Sequence, residues 1–504
     1  MKRYVATVTF VLALLLLYRL LQWRQRVARR LALRLTSGLS PVVLVPGLGG
    51  SRLYSRPRGL AAQWRQCWLG WEAFLPYNTP SSVEWRSSLS VRYQSGLYLD
   101  GGGVKVSACR QGSFRNGKFV LTQDFGGVTG VGNVLHGNVN RTWQFEAIIQ
   151  ALVGLGYSTF EESGAGCNLM AAPYDFRNIL ERMRWEAYCY RLMHLIETSA
   201  HRLANKVTLV SHSLGSALLL TFFVKYLVQR FGEDGAANWK NAHIKKWVTV
   251  NGAFAGAGKA LRSALSGDSN GLGVLCKDGC HEWYLPLIKN AAGVLWMLPD
   301  PAVFSSDSCH SAPILTIDRA EGLCESTEGV GLSERNERIE RNECIERNEH
   351  IEYYNAKTQE NALELSAREA YRDTVLPMRT LRAPGVPVTA IVVHKKPTML
   401  TLKYENRVHH SSSSMGSEHD FYEKVYRQGG ATAVQARLFP GTVSAMCGDG
   451  TVPYLSLMVP KLWGVGNGGH PVLFLRCGPH FKLGHSSILR EARGIKLIVG
   501  AITA

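Results

Sequence analysis

The sequence predicts an α/β fold on a doubly wound, mostly parallel sheet, and three observations carry that prediction. Short apolar, β-branched runs recur: P-V-V-L-V (Pro41–Val45), V-T-L-V (Val207–Val210), K-W-V-T-V (Lys246–Val250), V-T-A-I-V-V-H (Val388–His394) and V-L-F-L-R (Val472–Arg476). Runs with no polar face suit strands covered by helices on both sides. Segments of helical length and periodicity lie between strands, the alternation expected of βαβ units. Tight turns close the first two runs, P-G-L-G-G after Val45 and S-H-S-L-G after Val210.

At 504 residues the chain exceeds one compact core, so one large elaborated domain or two are expected. With 46% hydrophobic and 19% charged residues, the composition is globular rather than disordered. The formal net charge of +18 favours anionic partners, either nucleic acid or acidic lipid headgroups. No zinc-finger spacing or RRM-type signature is present, so a membrane surface is the expected partner and nucleic acid is not.

The N-terminus agrees. Tyr4–Tyr18 is apolar apart from two threonines and suits a signal peptide's apolar core; extended through Leu20, Leu21 and Trp23 it makes a short signal-anchor. The basic cluster Arg24, Arg26, Arg29, Arg30 and Arg34 follows, suited to anionic headgroups but opposed to lumenal placement under the positive-inside tendency. A secreted, lumenal or membrane-associated protein of the secretory pathway is expected. Eleven cysteines leave at least one unpaired or paired between molecules, and Asn140-Arg141-Thr142 is a glycosylation sequon for a lumenal domain.

In chain order, Pro41–Val45 ends in P-G-L-G-G, which lacks dinucleotide and P-loop spacing but suits backbone N–H groups aimed at an oxyanion. Residues 55–135 lose the βα rhythm. Trp64, Trp68, Trp71 and Leu75 fall at i, i+4, i+7 and i+11, one aromatic helical face joined by Phe74. Such a face is either core or an interfacial lid. Cys67 and Cys109 would close that loop if bridged, although pairing does not follow from sequence. Trp143–Gly156 is an amphipathic helix with a glycine stop, N-L-M-A-A-P-Y-D-F-R (Asn168–Arg177) is a strand end with an Asp175–Arg177 ion pair, and Arg182–His201 is a helix. After Lys246–Val250 comes N-G-A-F-A-G-A. The rhythm is lost again over 256–380, where E-R-N-E-R-I, E-R-N-E-C-I and E-R-N-E-H-I (334–351) repeat with period six and encode no sustained apolar face. Cys276, Cys280 and His281 do not complete a four-ligand metal set.

Ser213 stands on the strand-to-helix turn S-H-S-L-G, the setting of a nucleophile elbow, with Ser211 where the usual pattern has glycine. A serine needs a histidine to take its proton and a carboxylate to orient that histidine. Asp449, in G-D-G-T-V-P beyond the Val388–His394 strand, and His485, in G-H-S-S-I-L after Val472–Arg476, occur in the required Ser, Asp, His order. Backbone N–H groups of Leu48 and Leu214 are the expected oxyanion donors.

These motifs together (V-P-G-L-G-G, A-A-P-Y-D-F-R, S-H-S-L-G-S, G-D-G-T-V-P and G-H-S-S-I-L) make the chain resemble the lecithin–cholesterol acyltransferase-like family, which includes lysosomal phospholipase A2 and phospholipid–diacylglycerol acyltransferases. The likeness covers roughly residues 40–260 and 385–500 and implies an α/β-hydrolase fold carrying a membrane-binding/lid subdomain and an inserted cap. The implied division is 1–37 signal peptide or anchor, 38–54 first part of the core, 55–135 membrane-binding/lid subdomain, 136–255 second part with the elbow, 256–380 cap, and 381–504 last part. By this resemblance Ser213, Asp449 and His485 form the triad, Leu48 and Leu214 the oxyanion hole. The implied reaction takes an acyl chain from a phospholipid donor at a bilayer or lipoprotein-like surface to water, or to an alcohol such as a sterol, with no metal or organic cofactor. The departures are Ser211, Cys447 where relatives often carry an acidic residue, and Asn251–Ala257 where they carry Pro, Trp and paired Gly. Two other readings fit the same residues: a soluble-substrate esterase or thioesterase with the tryptophans as core, and a catalytically silent lipid-binding protein.

Overall fold

The computed structural model describes residues 38–57, 64–68, 79–100, 104–108, 114–115, 118–119, 124–134, 144–266, 287–304, 315–318, 363, 365–394, 396–398, 402–405, 447–464, 466–477 and 483–504. Its centre is a six-stranded sheet of β1 (Val42–Val45), β2 (Leu169–Ala171), β3 (Val207–His212), β4 (Ile244–Val250), β5 (Val388–Val393) and β6 (Val472–Cys477), ordered β6-β5-β4-β3-β1-β2. Every pairing in it is parallel, so the doubly wound α/β expectation holds. The principal helices are α1 (Glu146–Gly154), α2 (Arg182–Leu203), α3 (Leu214–Thr221), α4 (Ala292–Trp296) and α5 (Ala492–Thr503).

Alternation along the strands sends side chains to two cores. Val43, Val45, Leu209 and Trp247 pack with Leu192 and Ile196 of α2 and Leu218 and Leu219 of α3. Val42, Leu44, Val210 and Val248 pack with Ile148 and Leu152 of α1 and Ile498 and Ile502 of α5. Because both faces are covered, the strands read as continuous apolar runs, and each such aliphatic contributes about 1.5–3 kcal/mol by leaving water. Helix α3 continues through a π turn (Phe222–Tyr226) into Leu227–His243, broken at Gly232. The run Leu214–His243 is long and apolar enough to cross a bilayer, yet its apolar window is 72% buried inside the fold, as a core helix is.

The chain steps from β1 outward to β2, then returns to β3 on the other side of β1 and continues to β6. That reversal places a crevice at the carboxyl ends of β1 and β3. Val45 pairs with Ser211 and Ser211 with Thr249, so these strands end level with one another. P-G-L-G-G and S-H-S-L-G both lie there.

The helical face expected from Trp64 onward is corrected. Arg65–Gln66 is a strand, antiparallel to Tyr54–Ser55 in a small sheet that Val104–Ser107 completes. A spacing of four satisfies two strand periods as well as one helical turn, and pairing with Tyr54–Ser55 satisfies the backbone. Trp68 is buried, its indole donating to the Gly49 carbonyl at 2.8 Å and meeting the Phe176 ring edge-on at 5.0 Å. Trp64 is half-buried beneath the Arg56 guanidinium, 4.7 Å from its ring centre. Cys67 is a buried free thiol whose pKa burial pushes up to about 12. The bridge considered between Cys67 and Cys109 is therefore not a feature of the structure at Cys67; Cys109 lies outside the described residues. Outside them too are Trp71, Phe74, Leu75, Asn140, the N-terminal 37 residues, Cys276, Cys280, His281 and the 334–351 repeat. After His485 the chain makes a 3-10 turn (Ser487–Leu489) before α5 starts at Ala492.

Candidate active site

The turn from β3 into α3 sets Ser213 at φ 54°, ψ −125°. A non-glycine residue in such a conformation carries about 1–3 kcal/mol of strain and persists where its surroundings over-determine it. Here they do: the Ser213 N–H donates to the Val250 carbonyl at 3.1 Å and the Ser213 carbonyl accepts from Ala253 N–H at 3.2 Å. Gly215 makes the turn possible, because a Cβ there would meet the carbonyl oxygens of Pro46 and, at 2.7 Å, Val45. Only glycine lets α3 begin this close to β1.

Ser211 stands below the turn in place of the usual glycine, and it is fully buried. Its hydroxyl accepts from the Trp247 indole N–H at 2.8 Å and shares a 2.9 Å hydrogen bond with Ser216, whose hydroxyl lies 2.8 Å from that of Thr249. The side chain has partners, so the elbow survives the substitution.

Asp449 lies beyond β5, where Cys447–Gly448 pairs antiparallel with Lys396–Pro397. Cys447 thus serves in a short ladder. The Asp449 carboxylate is buried; Oδ1 accepts from the N–H groups of Thr451 and Val452 at 2.9 and 2.8 Å, and Oδ2 accepts from His485 Nδ1 at 2.6 Å. His485 Nε2 lies 2.9 Å from Ser213 Oγ, across 272 residues of sequence. A carboxylate only accepts, so Nδ1 carries the imidazole proton and Nε2 is free to accept from the serine hydroxyl. The structure therefore brings Ser213, His485 and Asp449 together as one relay, the arrangement that activates a serine for attack on an acyl carbon.

Sequence reasoning missed His212, which lies beneath His485. Its Nε2 is 2.9 Å from the His485 carbonyl, an acceptor, so Nε2 carries the proton. The rings are 4.7 Å apart. Burial, with His485 nearby, pulls the His212 pKa down to about 3, so the ring is neutral in the fold. The unfolded chain takes up a proton here below about 6.5 that the folded chain refuses until about 3. This contribution to stability is complete above pH 6.5 and is lost as the pH falls. Urea titrations between pH 6 and pH 4.5 are expected to show wild type losing on the order of 1.4 kcal/mol per pH unit relative to His212→Gln.

The two expected oxyanion positions flank Ser213. Leu214 is the first residue of α3, so its N–H has no intrahelical acceptor. Leu48 lies in the turn after β1, where Gly47 abuts the nucleophile: a Cβ at Gly47 would sit 3.0 Å from Ser213 Cβ. The leucine side chains converge on Gly293 of α4, each with a methyl 2.9 Å from where a Cβ would be.

A-A-P-Y-D-F-R docks that roof. The N–H groups of Ala292 and Gly293 donate to the carbonyls of Arg177 and Phe176, both at 2.8 Å. The Tyr174 hydroxyl donates to the Pro46 carbonyl at 2.9 Å, tying the motif to the oxyanion turn. Asp175 and Arg177 form the expected ion pair at 2.7 Å; Asp100, a second partner of Arg177 at 2.9 Å, had no motif to announce it. Among the described residues no group of three or more His, Cys, Asp or Glu side chains is placed to hold a metal ion.

The chain is 26% identical over 274 residues to phospholipid:diacylglycerol acyltransferase of Schizosaccharomyces pombe, covering 51% of this chain and 38% of that one. It is 25% identical over 283 residues to phosphatidylcholine-sterol acyltransferase of Mus musculus, covering 54% and 56%. It is 28% identical over 155 residues to lysosomal phospholipase A and acyltransferase of Rattus norvegicus, covering 31% and 32%. The matches thus span between 32% and 56% of these relatives' own lengths. The family model for lecithin:cholesterol acyltransferase matches residues 64–491, which takes in the elbow, the Asp449 turn, His485 and the Tyr174–Arg177 motif. With the parallel α/β sheet, this shows that the chain belongs to the lecithin:cholesterol acyltransferase family, a family of α/β-hydrolase fold.

Proposed function

We propose that this chain is a serine-dependent phospholipase A and O-acyltransferase acting on glycerophospholipid at a lipid surface. The observation that carries the reading is the Ser213–His485–Asp449 relay, with His485 Nε2 at 2.9 Å from Ser213 Oγ. Ser213 Oγ attacks the acyl carbonyl carbon as its proton passes to His485 Nε2, and Asp449 stabilises the imidazolium. The N–H groups of Leu48 and Leu214 hold the oxyanion. Collapse breaks the ester bond, and the departing lysophospholipid oxygen takes the proton from His485. Water or an alcohol then attacks the acyl-enzyme by the same steps in reverse, restoring the serine.

In this reading residues 55–135 and 256–380 form a lid and cap over the crevice. Two contacts between the regions support it: the Tyr93 hydroxyl donates to Asp373 at 2.8 Å, and Asn290 Nδ2 to the Val91 carbonyl at 3.3 Å. Leu97 and Leu99, exposed on alternate positions of one strand, supply apolar surface for a bilayer. The apolar N-terminal segment and the net charge of +18 support placement on membranes of the secretory pathway.

The test is incubation of purified protein with phosphatidylcholine vesicles, acyl-labelled and containing or lacking cholesterol. Free fatty acid alone identifies a phospholipase, and cholesteryl ester an acyltransferase to sterol. Loss of neither acyl chain from the phospholipid contradicts the reading. The buried Trp68 favours one second reading, an esterase of soluble substrates with this segment as core. Turnover of a short water-soluble ester with none of vesicle lipid would select it.

A further inference from the structure

The loop after β4, Asn251-Gly252-Ala253-Phe254, departs from the family's pattern, and in the fold it brackets both reacting side chains. Together with Val250, the last residue of β4, it holds the Ser213 main chain from two sides: the Val250 carbonyl accepts from Ser213 N–H at 3.1 Å and the Ala253 N–H donates to the Ser213 carbonyl at 3.2 Å. Asn251 is fully buried at φ 47°, the left-handed region that asparagine tolerates better than most side chains. Its backbone N–H donates to the Ile391 carbonyl at 2.9 Å, and its Oδ1 accepts from the Val393 N–H at 2.9 Å. Its Nδ2 donates to the His485 carbonyl at 3.1 Å. That carbonyl takes a second hydrogen bond from His212 Nε2, while the His485 N–H donates to the Asp449 carbonyl at 2.9 Å. The His485 main chain is thereby fixed on both sides.

We infer that Asn251 is a positioning residue for acyl transfer, holding the His485 main chain so that its imidazole spans Ser213 and Asp449. The inference rests on the triad reading and adds a specific part to it. The Asn251 amide joins the loop after β4, whose Ala253 N–H holds the Ser213 carbonyl, to Val393 at the end of β5 and to the loop after β6, which carries His485. A carbonyl held by two donors cannot rotate without leaving two buried N–H groups unpartnered, so the ring is set before substrate arrives. A displacement of about 1 Å at a reacting group costs on the order of 10²-fold in rate.

Two substitutions test it. Asn251→Gly keeps the left-handed backbone and deletes both amide hydrogen bonds. Asn251→Asp keeps the shape and the Val393 contact but sets an acceptor against the His485 carbonyl. In both, kcat on phosphatidylcholine vesicles is expected to fall about ten- to a hundred-fold with KM within two-fold of wild type. The downfield proton resonance of His485 Nδ1–H, held by Asp449, is expected to shift or broaden in both. That resonance reads ring position whether or not lipid is turned over. Wild type with the resonance but no turnover of any ester would refute the catalytic reading, and the variants' spectra would still decide the role of Asn251. Unchanged kcat and an unchanged resonance in both variants would overturn the inference. So would a lowered melting temperature with both readouts intact, which would make the side chain a support of the loop alone.

Discussion

Asp449→Asn is expected to lower kcat by about 10⁴ while leaving the fold standing. The carboxylate makes two kinds of contact. Oδ1 accepts from the N–H groups of Thr451 and Val452, and an asparagine oxygen preserves both. The amide NH2 then occupies the place of Oδ2, 2.6 Å from His485 Nδ1. A donor facing Nδ1 forces the imidazole into the other tautomer, with its proton on Nε2. Nε2 can then no longer accept from Ser213 Oγ. The effect falls on proton transfer, so kcat drops while KM for vesicle lipid stays near wild type. Steady-state turnover and the rate of serine labelling by a fluorophosphonate, measured beside a thermal melt, check the three parts together. Equal losses in turnover and labelling with an unchanged melt are expected.

Arg177→Met is expected to cost about 3–5 kcal/mol of folding stability, enough to unfold many domains. The guanidinium is 1% exposed and spans Asp175 at 2.7 Å and Asp100 at 2.9 Å. Burial works against its charge, and the carboxylates of Asp175 and Asp100 more than offset this, raising its pKa above the ordinary arginine value. It also donates to the Leu89 carbonyl at 3.0 Å. Methionine fills much of the volume but leaves two buried carboxylates without a countercharge, keeping only their hydrogen bonds from the backbone N–H of residue 177, the Asn178 side chain and the Val106 N–H, and it removes the donor to the Leu89 carbonyl. Lysine restores one charge without the planar fork and is expected to recover only part of the loss. Urea unfolding of the three proteins checks both statements, the midpoint falling from wild type to Lys to Met at a similar slope.

The sheet and the relay were legible in the sequence for one physical reason: both depend on residue type at short range. A strand buried on two faces must be apolar throughout, so the runs at Val42, Val207 and Val388 declared themselves. An elbow must place a serine between a strand and a helix with a glycine two residues on, and S-H-S-L-G has that form. Asp449 and His485 were found because each also lies in a turn just past a strand. What was not legible depends on contacts between distant segments. His212 read as part of a motif, yet it supports His485, 273 positions away. Asp100 carries no local signal, and its partner Arg177 is 77 positions on. Ser211 departs from the usual glycine, and its partners Trp247 and Ser216, distant or across the turn, are what show how it is accommodated. The Trp64–Trp68 spacing misled because a step of four fits a strand as well as a helix, and the choice between them lay with Tyr54 and Ser55.

The most direct measurement is capture of the acyl-enzyme. Wild-type protein mixed with acyl-labelled phosphatidylcholine vesicles and quenched in acid within one turnover should carry the acyl chain, as an ester, on the peptide containing Ser213. Ser213→Ala, folded as judged by its melt, should carry no label and turn over no lipid. Label on another residue, or turnover retained in Ser213→Ala, would contradict the account.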